Sequence, residues 1–337
     1  MNVPFCNSNA FKIESPDLKE KVYLECEKLF NTVLKRDYFP GPQPVTVEMK
    51  DLPKLNEEYM VCEKTDGERS ILLLINIDNK PMCFIINRNN ELYFTDLSFK
   101  KEVFEGSIFD GEIIKTKGEK GVYNFLIHDC MCYNGTNFLN FTHNLRYACI
   151  IDFILKRYNP KQTDCFNVKT KLFYKYGPGL DITWKHIQKT TENKIDGLIF
   201  TPVNGPIVFG RDNELLKWKE KHTMDFFVKK ETKKINLYFQ KKSKLELYTT
   251  ISKENEKLLK NFVSQDQLKE GLIIEFEYND DLFIPYRVRT DKKKPNGEIT
   301  IKNTMINIEE GITIEMLCKK EKVEPELNMD SLKINNS

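Results

Sequence analysis

The chain has 337 residues, 40% of them hydrophobic, which is enough for two compact units that each bury a core. Its 52 basic and 50 acidic residues leave a net charge of +2, which excludes a protein that holds nucleic acid by bulk charge; any phosphate contact must be local. Charged residues at 30% and aromatics at 12% exclude a collagen-like or wholly disordered chain.

Ser15-Pro16-Asp17 reads as an N-cap, a first-turn proline and an early acid, and Val22, Cys26, Leu29, Phe30 and Val33 follow at helical spacing, predicting a helix over about 16–35. Phe39-Pro40-Gly41-Pro42-Gln43-Pro44-Val45 is extended or turning, because proline removes donors. Short strands over 57–64, 69–77, 81–88 and 91–95, separated by Asp66-Gly67, Asp78-Asn79 and Asn89-Asn90, predict an antiparallel meander. Further strands read at 107–115, 123–133 and 197–202, with helices near 144–157 and 181–192, so the first unit is α+β. Near residue 220 the character changes. Strands at 225–229, 235–240, 245–251, 272–278 and 283–290 with a helix near 254–263 suit a small oligonucleotide-binding barrel. A turn-rich stretch over 292–297, a helix near 313–320 and a polar tail over 322–337 complete the reading.

Ile71 to Ile77, the longest apolar run, is far short of the roughly 20 residues that a membrane span needs. The N-terminus lacks a basic region and a long apolar run, so no secretory signal is expected. The nine cysteines are odd in number and contain no C-x-x-C pair, which fits buried thiols in a reducing, intracellular setting. Four histidines without H-E-x-x-H spacing give zinc hydrolysis no support.

The strongest chemical signal is Glu63-Lys64-Thr65-Asp66-Gly67-Glu68-Arg69 at a strand end, where a lysine and an arginine converge across a glycine turn. A nucleophilic lysine must lose its proton, and lowering its pKa by about three units costs roughly 4 kcal/mol, which neighbouring cations or burial can supply. A solvated turn is the plain alternative. The string recurs as Lys194-Ile195-Asp196-Gly197, where no arginine follows and Asp196 is the candidate, an oxygen ligand for a magnesium-type ion. Phe109-Asp110-Gly111-Glu112 offers Glu112 to a ribose or a metal. In Leu215-Leu216-Lys217-Trp218-Lys219, Lys217 and Lys219 share one strand face, which suits an anion between them or plain solvation. Arg287 to Asn296 is a cationic segment in the second unit, either an arm for a leaving phosphate or a basic hairpin. Nucleophile, cation site and phosphate-neutralising charges together are the needs of phosphoryl transfer.

These motifs, with F-P-G-P-Q-P-V, F-L-I-H-D, F-G-R-D-N-E-L-L-K-W-K, R-T-D-K-K-K-P-N and N-I-E-E-G-I-T-I in order, resemble the covalent nucleotidyltransferases, and within them the mRNA guanylyltransferases or capping enzymes, most of all the stand-alone ones of large DNA viruses such as chlorella virus. The resemblance implies an α+β fold: an antiparallel-sheet nucleotidyltransferase domain over 1–222, an OB-fold β-barrel over 223–308 and a cleft between them, with a helix over 309–321 packing back on the first domain. It implies that GMP passes from GTP through a lysyl-GMP intermediate on Lys64 to a 5′-diphosphate RNA end, with Mg2+ or Mn2+. By matched position, Arg69 and Glu112 hold the ribose, and Arg88 and Asp129 contact the nucleotide. Thr65 and Lys171 read guanine, and Asp196, with Glu112, serves the metal. Lys217 and Lys219 orient the α-phosphate, and Arg289 and Lys292 reach the outer phosphates on closure. No H-C-x-x-G-x-x-R phosphatase loop occurs, so RNA triphosphatase and cap methyltransferase are expected on separate chains, with RNA polymerase a further partner. The compartment expected is the nucleus for a cellular protein, and the host nucleus or cytoplasm for a viral one. An ATP-dependent polynucleotide ligase and a non-catalytic RNA-binding protein, using lysines 229, 230, 233, 234, 241 and 242, are the rival readings.

Overall fold

The computed structural model describes residues 1–118, 121–290 and 292–318, so the expected polar tail and the last residues of the expected terminal helix lie outside the described residues. Apolar runs built of Ile, Leu and Phe form a nine-stranded sheet whose centre is Glu68–Ile77 between Lys80–Asn87 and Ser107–Lys115, all antiparallel. Both faces of it are covered. Ile71, Leu73, Ile75 and Ile77 pack under helix Pro16–Phe30, while Leu72 and Leu74 share a core with Ile150 and Phe153 of helix His143–Lys156. The first helix ends sooner than its apolar spacing predicts, because Asn31 turns left-handed at φ 51° and caps it.

A five-stranded sheet stands beside the first, in the order Tyr174–Lys175, Tyr59–Thr65, Ile195–Pro202, Gly210–Lys219, Pro42–Thr46. The proline-rich run at its edge pairs parallel with Gly210–Lys219, an edge position that missing donors permit. A third sheet, also five-stranded, runs Lys244–Thr250, Lys234–Lys241, Thr223–Glu231, Leu272–Asn279, Leu282–Val288 and buries its own core of Met224, Phe226, Leu237, Ile274 and Phe276. The strand count and the helix Lys253–Phe262 match expectation.

Several elements were not legible. Strands Asn2–Phe5 and Ser8–Ile13 extend the large sheet, and Glu298–Glu310 is a thirteen-residue helix in a stretch for which no element was expected. From it the chain crosses back to the second sheet. Ile312 and Leu317 are buried with Trp184 and Trp218, Trp218 Nε1 donates to the Ile312 carbonyl at 2.7 Å, and Tyr176 Oη donates to that of Leu317 at 2.6 Å. The terminal helix is one turn, Ile314–Leu317. No helix among the described residues is long and apolar enough to cross a membrane.

Candidate active site

The two K-x-D-G strings are neighbours. Strand Tyr59–Thr65 pairs antiparallel with Ile195–Pro202, so that Gly197 lies opposite Lys64, and the Asp66 amide donates to the Lys194 carbonyl at 2.9 Å. A Cβ on Gly67 would come within 2.5 Å of the Ile113 carbonyl, and one on Gly197 within 1.9 Å of that of Trp218, so both glycines permit close backbone contact. The lysines behave differently. Lys194 is exposed and pairs with Asp66 at 3.3 Å, whereas Lys64 is held on the cleft side by Asp196 Oδ1 at 2.6 Å.

Asp196 bridges two cations, since its other oxygen takes Lys219 Nζ at 2.8 Å. Burial alone would raise its pKa, but the charges of Lys64 and Lys219 outweigh that and hold the carboxyl below the usual range. Lys217 projects from the same face of its strand as Lys219. Burial, followed by the charges of Lys64, Lys219 and Arg88, pushes the Lys217 ammonium down to about 8. Four cations near one carboxylate are a standing demand for an anion.

Arg69 sits in a separate buried network. Its Nε donates to Asp110 Oδ1 at 2.9 Å, its terminal nitrogens donate to Asp110 Oδ2 and the Pro42 carbonyl, and its guanidinium lies 5.2 Å from the Phe39 ring centre. Thus F-P-G-P-Q-P-V wraps the arginine, and Gly41 leaves space for it. Asp110, completely buried, is the residue that sequence reasoning passed over; the acid before the glycine in F-D-G-E was its only signal. Desolvation opposes its charge, and Arg69 and His128, whose Nε2 lies 3.2 Å away, keep it ionised.

Glu112 is not brought alongside Asp196. One of its oxygens accepts the Gly67 amide at 2.9 Å, and the other accepts from Thr65 Oγ1 and from Lys171 Nζ at 3.1 Å. Lys171 also donates to Thr65 Oγ1 at 2.7 Å, so Thr65, Lys171 and Glu112 form one closed set. Burial works against the Lys171 charge, and Glu112 more than offsets it, leaving the ammonium above its ordinary value. Among the described residues no group of three or more His, Cys, Asp or Glu side chains is placed to hold a metal. Asp129, expected at the nucleotide, is instead buried against Arg146, whose Nε donates to it at 2.7 Å. Asp129 lies opposite Asp110 in the strand pairing, beside an irregularity between Asp110 and Gly111.

Across a cleft of about 760 Å³, the third sheet presents Arg287, Arg289 and Lys292 to Lys64, Arg88, Lys217 and Lys219. Each is pinned by an acid of its own sheet. Arg289 Nη1 donates to Asp225 Oδ1 at 2.9 Å and to Glu275 Oε2 at 3.3 Å, Lys292 Nζ donates to Asp225, and Arg287 Nε donates to Glu275 at 2.5 Å. Asn296 completes the arrangement by accepting the Asp225 amide at 2.8 Å.

A lysine at a strand end, one bridging carboxylate and two opposed walls of cations define a nucleotidyltransferase site. The model of the mRNA capping enzyme catalytic domain matches residues 10–221, and that of the mRNA capping enzyme C-terminal domain matches residues 183–318. The chain therefore belongs to the mRNA capping enzyme family. It is 26% identical over 323 residues to the mRNA-capping enzyme subunit alpha of Schizosaccharomyces pombe, covering 84% of this chain and 80% of that one. It is 30% identical over 232 residues to the same subunit of Kluyveromyces lactis, covering 59% of this chain. It is 27% identical over 297 residues to the mRNA-capping enzyme of Mus musculus, covering 83% of this chain. In each of these last two the match spans 49% of the relative, so the chain covers about half of their length.

Proposed function

We propose that the chain is an mRNA guanylyltransferase working through a covalent lysyl-GMP intermediate. The observation that carries this reading is the placement of Lys64, 2.6 Å from Asp196, on the wall of a cleft whose far side presents Arg289 and Lys292. In the first step the Lys64 amine, having shed a proton to water, attacks the α-phosphorus of GTP. A P–N bond forms, the bond to the bridging oxygen breaks, and pyrophosphate leaves. In the second, a terminal oxygen of a 5′-diphosphate RNA attacks the same phosphorus, the P–N bond breaks, and the lysine regains its proton. Lys217 and Lys219 would neutralise the α-phosphate, and Arg88, Arg289 and Lys292 the charge of the leaving pyrophosphate. Thr65 and Lys171, with Glu112, would read the nucleoside. Arg69 would act chiefly by fixing that wall through Asp110, with the ribose within its reach after a change of partner.

The donor set suits a magnesium or manganese ion, because such ions are commonly held by one or two carboxylates together with substrate phosphates. Asp196 would be the protein ligand, and a bound ion would neutralise triphosphate charge. Residues 1–222 would form the nucleotidyltransferase unit and 223–308 a barrel. An RNA triphosphatase, a cap methyltransferase and RNA polymerase would be its partners, and a cellular enzyme of this kind would work in the nucleus. The test is to incubate the protein with labelled GTP or ATP and a divalent ion, then denature it. Label retained from GTP supports the proposal, and label retained from ATP alone replaces it with a ligase.

A further inference from the structure

The cleft is lined by more than phosphate-binding cations. Besides Lys64, Arg88, Lys217, Arg289 and Lys292, its wall includes Tyr286, His222, the ion pair of Lys221 with Glu277, and a row on helix Glu298–Glu310 formed by Thr300, Asn303, Thr304 and Asn307, whose spacing puts them on one helix face. That row carries no formal charge. His222 adds none at neutral pH, because burial and the Lys219 charge push its pKa down to about 4.

Two observations argue for a ligand on this wall. Asn307 is only 7% exposed, yet its Oδ1 is buried without a hydrogen-bond partner among the described residues, a costly arrangement unless something supplies a donor. Tyr286 is 53% exposed on strand Leu282–Val288, one residue before Arg287, which lines the same cleft. A large aromatic face open to a cleft beside cationic side chains is the arrangement on which single-stranded nucleic acid stacks.

Resting on the guanylyltransferase reading, we infer that Tyr286 and this neutral helix face form the acceptor subsite, in which the leading nucleosides of the 5′-diphosphate RNA stack on Tyr286 and hydrogen-bond to the Asn303–Asn307 face. The diphosphate then reaches the cleft's cations in line with the Lys64 adduct. Neutral amides and hydroxyls suit sugar and base edges, whereas they would bind a triphosphate poorly.

The experiment separates the two half-reactions in Tyr286→Ala and in an Asn303→Ala/Asn307→Ala double variant, using the full chain. Label from GTP is first loaded onto the protein, then discharged either by pyrophosphate, which reverses the first step, or by a short 5′-diphosphate RNA. The expected result is loading and pyrophosphate discharge within twofold of wild type, and discharge by RNA at subsaturating concentration slowed at least tenfold. Discharge by RNA at the wild-type rate overturns the subsite. A raised KM for GTP during loading overturns it differently, by giving these residues to the donor nucleoside. Tyr286→Phe keeps the stacking face and should restore RNA discharge, so a mere folding defect is told apart from lost recognition. Failure of the wild-type protein to take label at all would sink the guanylyltransferase reading itself, a result distinct from either.

Discussion

Lys64 Nζ and Asp196 Oδ1 stand 2.6 Å apart, and the same carboxylate holds Lys219 at 2.8 Å through its second oxygen. One acid therefore spaces Lys64, the proposed nucleophile, from Lys219. Its loss leaves the cations of Lys64, Lys217 and Lys219 facing one another without compensation. Asp196→Ala should slow lysyl-GMP formation by roughly 10²- to 10³-fold, the scale of losing one electrostatic element of an active site. Label incorporation at several magnesium concentrations measures it, and a wild-type response to magnesium would refute the role.

Lys64→Met should abolish the adduct, whereas Lys194→Met should retain it within a few-fold, because the exposed Lys194 only pairs with Asp66. Intact-mass measurement after GTP exposure reads both. The reverse pattern would mean that the other K-x-D-G string carries the nucleophile.

Lys217 makes stability depend on pH with a definite sign. Its folded pKa, about 8, lies below the ordinary lysine value of 10.5, so between these values the unfolded chain binds more protons than the folded one. This group's contribution to stability therefore rises with pH across that window. Lys217→Met should flatten the rise when thermal melts are compared at pH 7.5 and 9.5. An unchanged slope would show that burial and the neighbouring cations do not destabilise the ammonium form.

Asp129→Ala leaves the Arg146 guanidinium, fully buried, without its carboxylate and should cost about 3–5 kcal/mol in a denaturant titration. Any protein that remains folded should keep its KM for GTP. A selective rise in that KM with stability intact would restore the nucleotide role expected from the motif order.

Arg289→Ala should reduce adduct formation by about 10²-fold if the third sheet supplies charge to the leaving pyrophosphate. Single-turnover loading with GTP tests it, and a wild-type rate would remove the sheet from the first step.

Alternating Lys217, Trp218 and Lys219 announced a strand with a cationic face, and the glycine-led strings marked their strand ends, because each feature is written in local spacing. Asp110 was hidden because its importance comes from Arg69, forty-one residues earlier, and no local pattern records a pairing across strands. Helix Glu298–Glu310 escaped for the opposite reason. Its Ile-Thr-Ile beginning carries β-branched side chains that favour strands, and its apolar residues are spread around the axis, with Ile299 exposed and Ile301 buried. Packing against the third sheet overrode propensity there. The partner of Asp129 was hidden likewise, because Arg146 lies seventeen residues on in a separate helix.

The stretch from Gly311 to Leu317 gives the third sheet a second attachment. The chain leaves the first unit once after Lys219 and is fastened to it again where Trp218 and Tyr176 hold the carbonyls of Ile312 and Leu317. Any movement that brought Arg289 and Lys292 nearer Lys64 would have to pivot about both attachments rather than about a single linker.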